Sequence, residues 1–249
     1  MCAAALCQCA ADGDGSAPER FTRAPFGVVR VYRPQGEARS LALLVSGDGG
    51  WGTGTGAIAR DLAGQDTLVA GIDGREYLAA LREDGARCAS PAADLAHLAQ
   101  LLSTRYHLPA HSRATLVGHS AGATLVYVAL AQAAPDTFTG ALTLSFCTEL
   151  ELSRPLCPAA ALRGAAVPAG TELQPGGALS APWIAVHGHE DQVCPADAGA
   201  RFAGAVPGAR FIEIPGLDHN YHDRARWWPA FVGGYRELSQ APRAAPPGP

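Results

Sequence analysis

The chain contains no run of basic residues, and its formal net charge is −4. Proteins that bind nucleic acid cluster Lys and Arg to displace the counterions around phosphate, so that class of partner is excluded. No apolar stretch approaches the roughly 18 residues that a membrane-crossing helix needs, so no transmembrane segment is expected. Met1 to Ala11 lack the positive residues and the apolar length of an export signal. Residues 1–20 therefore read as a disordered or leader-like segment, or as the tail of a longer signal. No internal repeat is visible. What remains is a chain of 249 residues, long enough to bury the core of one domain, with 48% hydrophobic and 17% charged residues, as in ordinary globular enzymes.

The most informative stretch is Gly118-His119-Ser120-Ala121-Gly122. It follows an apolar run, Ala114 to Val117, and precedes small residues that read as a helix, Ala121 to Ala134. Gly-x-Ser-x-Gly between a strand and a helix marks a nucleophile elbow, a turn so sharp that the serine backbone is strained and the flanking glycines let strand and helix pass closely. Ser120 is the candidate nucleophile.

A serine hydroxyl is a poor nucleophile until a base takes its proton, and the base needs an acid to fix its tautomer. Downstream, the apolar run Trp183 to Val186 opens into His187-Gly188-His189-Glu190-Asp191, and the run Arg210 to Ile214 ends in Pro215-Gly216-Leu217-Asp218-His219. The order nucleophile, acid, histidine, each at the end of a strand, selects Asp191 as acid and His219 as base. Glu190 and His222 are the alternatives, since slippage within a loop is invisible at this level. His119 and His187 read as packing or hydrogen-bonding neighbours. The spacing His187-x-His189-x-Asp191 also suggests a metal site, but no set of further ligands accompanies it, so no metal and no cofactor are expected.

Acyl transfer builds negative charge on an oxygen that backbone N–H groups must hold, each worth about 3 kcal/mol. Ala121, opening the helix, supplies one donor. The other falls in the glycine-rich loop Ser46 to Gly52, which follows the strand Leu41 to Val45, at Asp48 or Gly49. No Gly-Lys-Ser/Thr follows this loop, which weakens a phosphate-cradling reading.

Strands are expected at Val28–Tyr32, Leu41–Val45, Thr67–Ile72, Thr115–Val117, Ala141–Ser145, Trp183–Val186 and Phe211–Ile214. Helices are expected at Gly56–Ala63, Pro91–Tyr106, Ala121–Ala134, Ala196–Ala205 and Arg224–Leu238. Alternation of this kind implies a mostly parallel sheet with helices on both faces, one domain over 21–240, and an unstructured Pro/Ala-rich tail over 241–249. Cys147 to Ser180 reads as a modest flap over the site. Of seven cysteines, Cys88, Cys147, Cys157 and Cys194 lie in the body, consistent with two disulfides in one of three pairings, Cys147–Cys157 being favoured because it closes a short loop; four buried free thiols in a cytosolic protein are the alternative.

The run Ser46-Gly47-Asp48-Gly49-Gly50-Trp51 resembles the bacterial virulence family VirJ/AcvB, periplasmic α/β-hydrolases. The similarity continues through Gly71-Ile72-Asp73, Arg75-Glu76-Tyr77-Leu78, Pro91, Ala93-Asp94-Leu95 and Tyr106 to the elbow, covering roughly Leu41 to Cys194. The resemblance implies an α/β-hydrolase fold with a minimal lid, and hydrolysis of lysyl- or alanyl-phosphatidylglycerol at a membrane-lipid head group. It implies Ser120, Asp191 and His219 as the triad, with Asp48 lining the acyl site. Asp48, Trp51 and Glu149 are the candidate substrate-binding residues, and the expected strand-end places of Asp48 and Glu149 make either one the carboxylate to meet the substrate's ammonium group. It also implies a periplasmic location, with the cytoplasm as the alternative. The elbow departs from the family's Gly-Tyr-Ser-Phe-Gly-Ala-Asp, with Ala121 in place of an aromatic residue and Thr124 in place of the carboxylate. These departures leave the triad intact and bear on the substrate. Two other classes compete: an esterase or thioesterase on a soluble small substrate, and a non-catalytic secretion-interaction protein on the same fold. The oligomeric state has no signature in the sequence.

Overall fold

The computed structural model describes residues 17–110 and 112–240. Residues 1–16 and 241–249, which hold most of the leader-like segment and the whole tail, lie outside the described residues. The first strand, β1 (Glu19–Arg23), begins just inside the segment read as leader-like and forms a hairpin with β2 (Gly27–Tyr32).

The apolar runs become β3 (Ser40–Val45), β4 (Thr67–Ile72), β5 (Ala114–His119), β6 (Phe138–Leu144), β10 (Trp183–Gly188) and β11 (Arg210–Ile214). These six are mutually parallel, and β2 joins them antiparallel to β4, giving the order β1-β2-β4-β3-β5-β6-β10-β11. Central strands are buried on both faces, which is why they read as continuous rather than alternating apolar runs.

Helices α1 (Thr53–Ala63), α2 (Gly74–Glu83), α3 (Pro91–Arg105), α4 (Ala121–Gln132), α5 (Ala196–Gly204) and α6 (Arg224–Ser239) cover the sheet. Two apolar layers follow from strand alternation: Leu41, Leu43 and Val45 face one side with residues of α2 to α5, while Ala42 and Leu44 face the other with α1 and α6. Helix α4 is buried nearly all round, which fits its lack of a polar face.

Three expectations are corrected. Helix α2 was not foreseen: its start hides in the strand-end motif, where Asp73 caps the amides of Arg75 and Glu76. The 147–180 segment is not a flap over the site. It forms a second sheet, β7 (Glu149–Leu150), β9 (Gly170–Gln174) and β8 (Arg163–Val167), anchored by Leu150, Leu152 and Leu173 in the core layer that holds Tyr77 and Leu81. The disulfides are Cys88–Cys157 and Cys147–Cys194, not Cys147–Cys157. Cys157 is drawn to Cys88 because its amide donates to the Ala89 carbonyl at 2.9 Å, whereas Cys147 leaves the end of β6 toward the loop after β10.

Candidate active site

Ser120 sits between β5 and α4 with φ 55° and ψ −127°, in the left-handed half of conformational space that side chains rarely enter. The flanking glycines make the turn possible. A Cβ at Gly118 would lie 2.3 Å from the Gly122 carbonyl oxygen, and one at Gly122 would lie 2.3 Å from that of Val45. The serine is nearly buried, with 5% of its surface exposed, so its hydroxyl is reached only from one side.

His219 lies in the loop after β11, and its Nε2 is 3.0 Å from Ser120 Oγ, accepting the hydroxyl proton. Its Nδ1 donates to both oxygens of Asp191, at 3.0 and 2.9 Å. The backbone brings the two loops together: Glu190 N donates to the Leu217 carbonyl at 2.8 Å and His189 N to that of Ile214 at 3.0 Å. A Cβ at Gly188 would lie 2.4 Å from the Leu217 oxygen, so only glycine allows this approach. Glu190, the alternative acid, is exposed at the surface, and His222, the alternative base, stands exposed on the cavity wall.

Asp191 is buried and also accepts from Ser145 Oγ at 2.5 Å and from the amides of Val193 and Cys194 at 2.9 and 2.8 Å. Burial alone would raise its carboxyl pKa. The hydrogen bonds from His219, Ser145 and Cys194 outweigh that effect and hold it at about 2, against an ordinary 3.8. The lowered pKa favours the folded state fully above about pH 4, and that contribution is lost as pH falls toward about 2. We therefore expect the urea midpoint to fall across that window in the wild type, and Asp191→Asn to lack this part of the fall. The check is a series of urea melts in acid; a parallel decline in both proteins would contradict the assignment.

Ser145 carries no signal in the sequence beyond being the last residue of an expected strand. It has φ 51° and lies 3.1 Å from the Tyr221 hydroxyl, which donates to the Val186 carbonyl at 3.0 Å. His119 Nε2 donates to the His219 carbonyl at 3.1 Å, tying the elbow to the base loop. Burial lowers its pKa and keeps it neutral. His187, fully buried, donates Nε2–H to the Cys194 carbonyl at 2.6 Å, while His189 faces outward and pairs with Glu213 at 2.8 Å. His187 Nε2 lies 3.6 Å from Asp191 Oδ2, but His189 turns away to Glu213, so the His-x-His pair does not converge on Asp191.

A cavity of about 500 Å³ opens over Ser120 and His219. Asp48 and Gly49 line it together with Ile58, Leu144, Tyr221 and Arg224. Gly47 passes so close that a Cβ there would lie 3.6 Å from Ser120 Oγ. Among the described residues the amides of Asp48 and Gly49 have no acceptor within the protein. Ala121, the first residue of α4, has an amide for which the helix offers no acceptor. The arrangement can therefore deliver a hydroxyl activated by an imidazole to a carbonyl carbon while nearby amides take up charge on its oxygen.

Two substrate-binding candidates are corrected. Trp51 does not line the cavity. Its ring packs over Gly71, where a Cβ would meet it at 2.2 Å, and stacks on Tyr32, because its amide is held by Asp73 at 2.8 Å. Glu149 is also absent from the cavity wall; it pairs with Glu172 across the accessory sheet. The glycine loop also carries Gly47-x-Gly49-x-x-Gly52, the spacing of a dinucleotide-binding loop, with Asp73 at the end of the neighbouring strand. Here Asp73 is buried, with its oxygens taken by the Trp51, Arg75 and Glu76 amides, so it has none to offer a ribose.

Strand order, elbow and strand-end loops together define an α/β-hydrolase. Within that class, residues 39–149 match the model of the family described as bacterial virulence protein (VirJ), and over that stretch the chain is VirJ-like. The match takes in the glycine loop and Ser120, and ends short of Asp191 and His219. No curated protein matches the chain. Among solved structures, Est1E from Butyrivibrio proteoclasticus has a TM-score of 0.61 at 14% identity, covering 91% of this chain and 100% of that one. A thermophilic esterase of Thermogutta terrifontis, described with propionate bound, has a TM-score of 0.62 at 14% identity, covering 93% and 97%. A puromycin-hydrolyzing peptidase of Mycobacterium tuberculosis has a TM-score of 0.63 at 16% identity, covering 93% of this chain but 40% of that one. At such identities the likeness is one of fold.

Proposed function

We propose that the protein is a serine hydrolase that cleaves a carboxylic ester through an acyl-enzyme, with Ser120, His219 and Asp191 as its triad. What supports this most is the unbroken line of hydrogen bonds from Ser120 Oγ through His219 to Asp191. In the first half-reaction Ser120 Oγ attacks the ester carbonyl while His219 Nε2 takes its proton. The oxyanion is held by the Ala121 amide and one from the Asp48–Gly49 loop. Collapse expels the alcohol, which leaves with the proton from His219. Water repeats the sequence on the acyl-enzyme, releasing the acid and restoring Ser120. Asp191 stabilises the imidazolium in both halves.

The preferred substrate in this reading is an aminoacyl ester of phosphatidylglycerol, taken from the VirJ likeness. Such an ester joins an ammonium group on the acyl side to a phosphodiester on the alcohol side. The cavity offers a charge of each sign, Asp48 and Arg224, the latter paired with Asp61 at 2.5 Å and stacked on Trp228 at 3.7 Å. With Glu149 outside the cavity, Asp48 is the carboxylate left to meet the ammonium. No helix among the described residues is long and apolar enough to cross a membrane. A periplasmic location suits two disulfides and the family.

We expect Asp48→Asn to raise KM for lysyl-phosphatidylglycerol about tenfold, the effect of roughly one charge-assisted contact. KM for a neutral ester should be unchanged. Steady-state kinetics on both substrates checks this, and equal losses would refute it. The second reading, a small soluble ester, draws on the propionate described with the Thermogutta esterase. Incubation with lysyl-, alanyl- and unmodified phosphatidylglycerol beside short-chain esters separates the two.

A further inference from the structure

The glycine loop, Ser46 to Trp51, which carries the family resemblance most specifically, is bound to the start of α2, Asp73 to Glu76. Ser46 Oγ accepts from the Gly74 amide at 3.0 Å, and Asp73 accepts the Trp51 amide at 2.8 Å. Between these anchors the loop closes a turn, Gly50 N to Gly47 O at 3.0 Å, with φ +84° at Gly50. The tip of that turn is held by one side chain. Arg75 donates Nε–H to the Asp48 carbonyl at 2.9 Å and an Nη2 hydrogen to the Gly49 carbonyl at 2.6 Å.

We propose that Arg75 is a positioning residue that aims the loop's oxyanion donor, an inference that rests on the acyl-transfer reading above. In a planar trans peptide the N–H points opposite to the C=O. With the Asp48 carbonyl turned onto Arg75, the Gly49 N–H faces the other way. With the Gly49 carbonyl also on Arg75, the Gly50 N–H is turned back to close on Gly47. The amide thus aimed without an acceptor is that of Gly49, on the wall of the cavity that holds Ser120. The device needs arginine, because its planar fork spans two consecutive carbonyls where the point charge of lysine reaches one. Arg75 is exposed and its aliphatic stem is not part of the core, so its removal alters the loop rather than the fold.

The test compares wild type, Arg75→Gln and Arg75→Lys on a p-nitrophenyl ester, with Ki for phenylboronic acid, which forms a tetrahedral adduct on an activated serine. We expect kcat to fall about tenfold or more in both variants, KM to change less than about twofold, and the boronate Ki to rise in step with the loss in kcat. The thermal midpoint serves as the control for folding. Full activity in Arg75→Lys overturns the two-carbonyl grip. A loss confined to KM, or a boronate Ki that does not move, overturns the positioning role while leaving the serine reading intact. A wild type without Ser120-dependent turnover overturns the serine reading and this proposal with it.

Discussion

Ser120→Ala is expected to abolish ester hydrolysis, and Ser120→Gly to abolish it while making the protein more stable. The first half follows from the role of the hydroxyl: without it no acyl-enzyme forms, and losses of about 10⁴ to 10⁶ in kcat are the scale for removing a triad nucleophile. The second half follows from the backbone. At φ 55° and ψ −127° a side chain costs about 1–3 kcal/mol that glycine does not. The serine is thus kept at some expense in stability, as expected where a strained conformation serves chemistry. Kinetics on an activated ester and thermal melts of the three proteins check both halves. A Gly variant less stable than the Ala variant would show that the elbow is not strained.

Asp191→Asn is expected to reduce kcat by about 10⁴, the scale for a triad acid made neutral. Asp191 offers only acceptors, and its partners are all donors: His219 Nδ1, Ser145 Oγ and the amides of Val193 and Cys194. An asparagine would turn an NH₂ group against one of them. If it faces His219, the imidazole must accept at Nδ1 and so protonates Nε2, the nitrogen that has to receive the serine proton. Activity above about a tenth of wild type would show that the carboxylate is not the acid of this site.

The parts of the molecule legible in the sequence are those where one chemical requirement dominates a short stretch. The central strands announce themselves because burial on both faces demands uninterrupted apolar residues. The elbow does so because its turn demands glycine at 118 and 122. Asp191 and His219 were found by chain order and by their places after strands, and the structure brings both to Ser120. What escaped depends on contacts between distant segments. Ser145 is an ordinary strand-end serine until β10 and its loop set Asp191 beside it. Trp51 belongs to the glycine loop, but Gly71, twenty residues on, leaves the space its ring fills. The accessory sheet has strands such as Arg-Gly-Ala-Ala-Val, exposed and small, with no periodicity to read. Loop length does not decide the disulfide pairing; the bridge Ala89–Leu156 sets which cysteines meet.

The most direct test is reaction of the native protein with a fluorophosphonate, followed by mass spectrometry of the digested chain. The account predicts one adduct, on Ser120, absent from Ser120→Ala and slowed strongly in His219→Gln, since only a hydroxyl deprotonated by that imidazole attacks phosphorus at a useful rate. An unlabelled native protein, or a label on another residue that persists in Ser120→Ala, would contradict it.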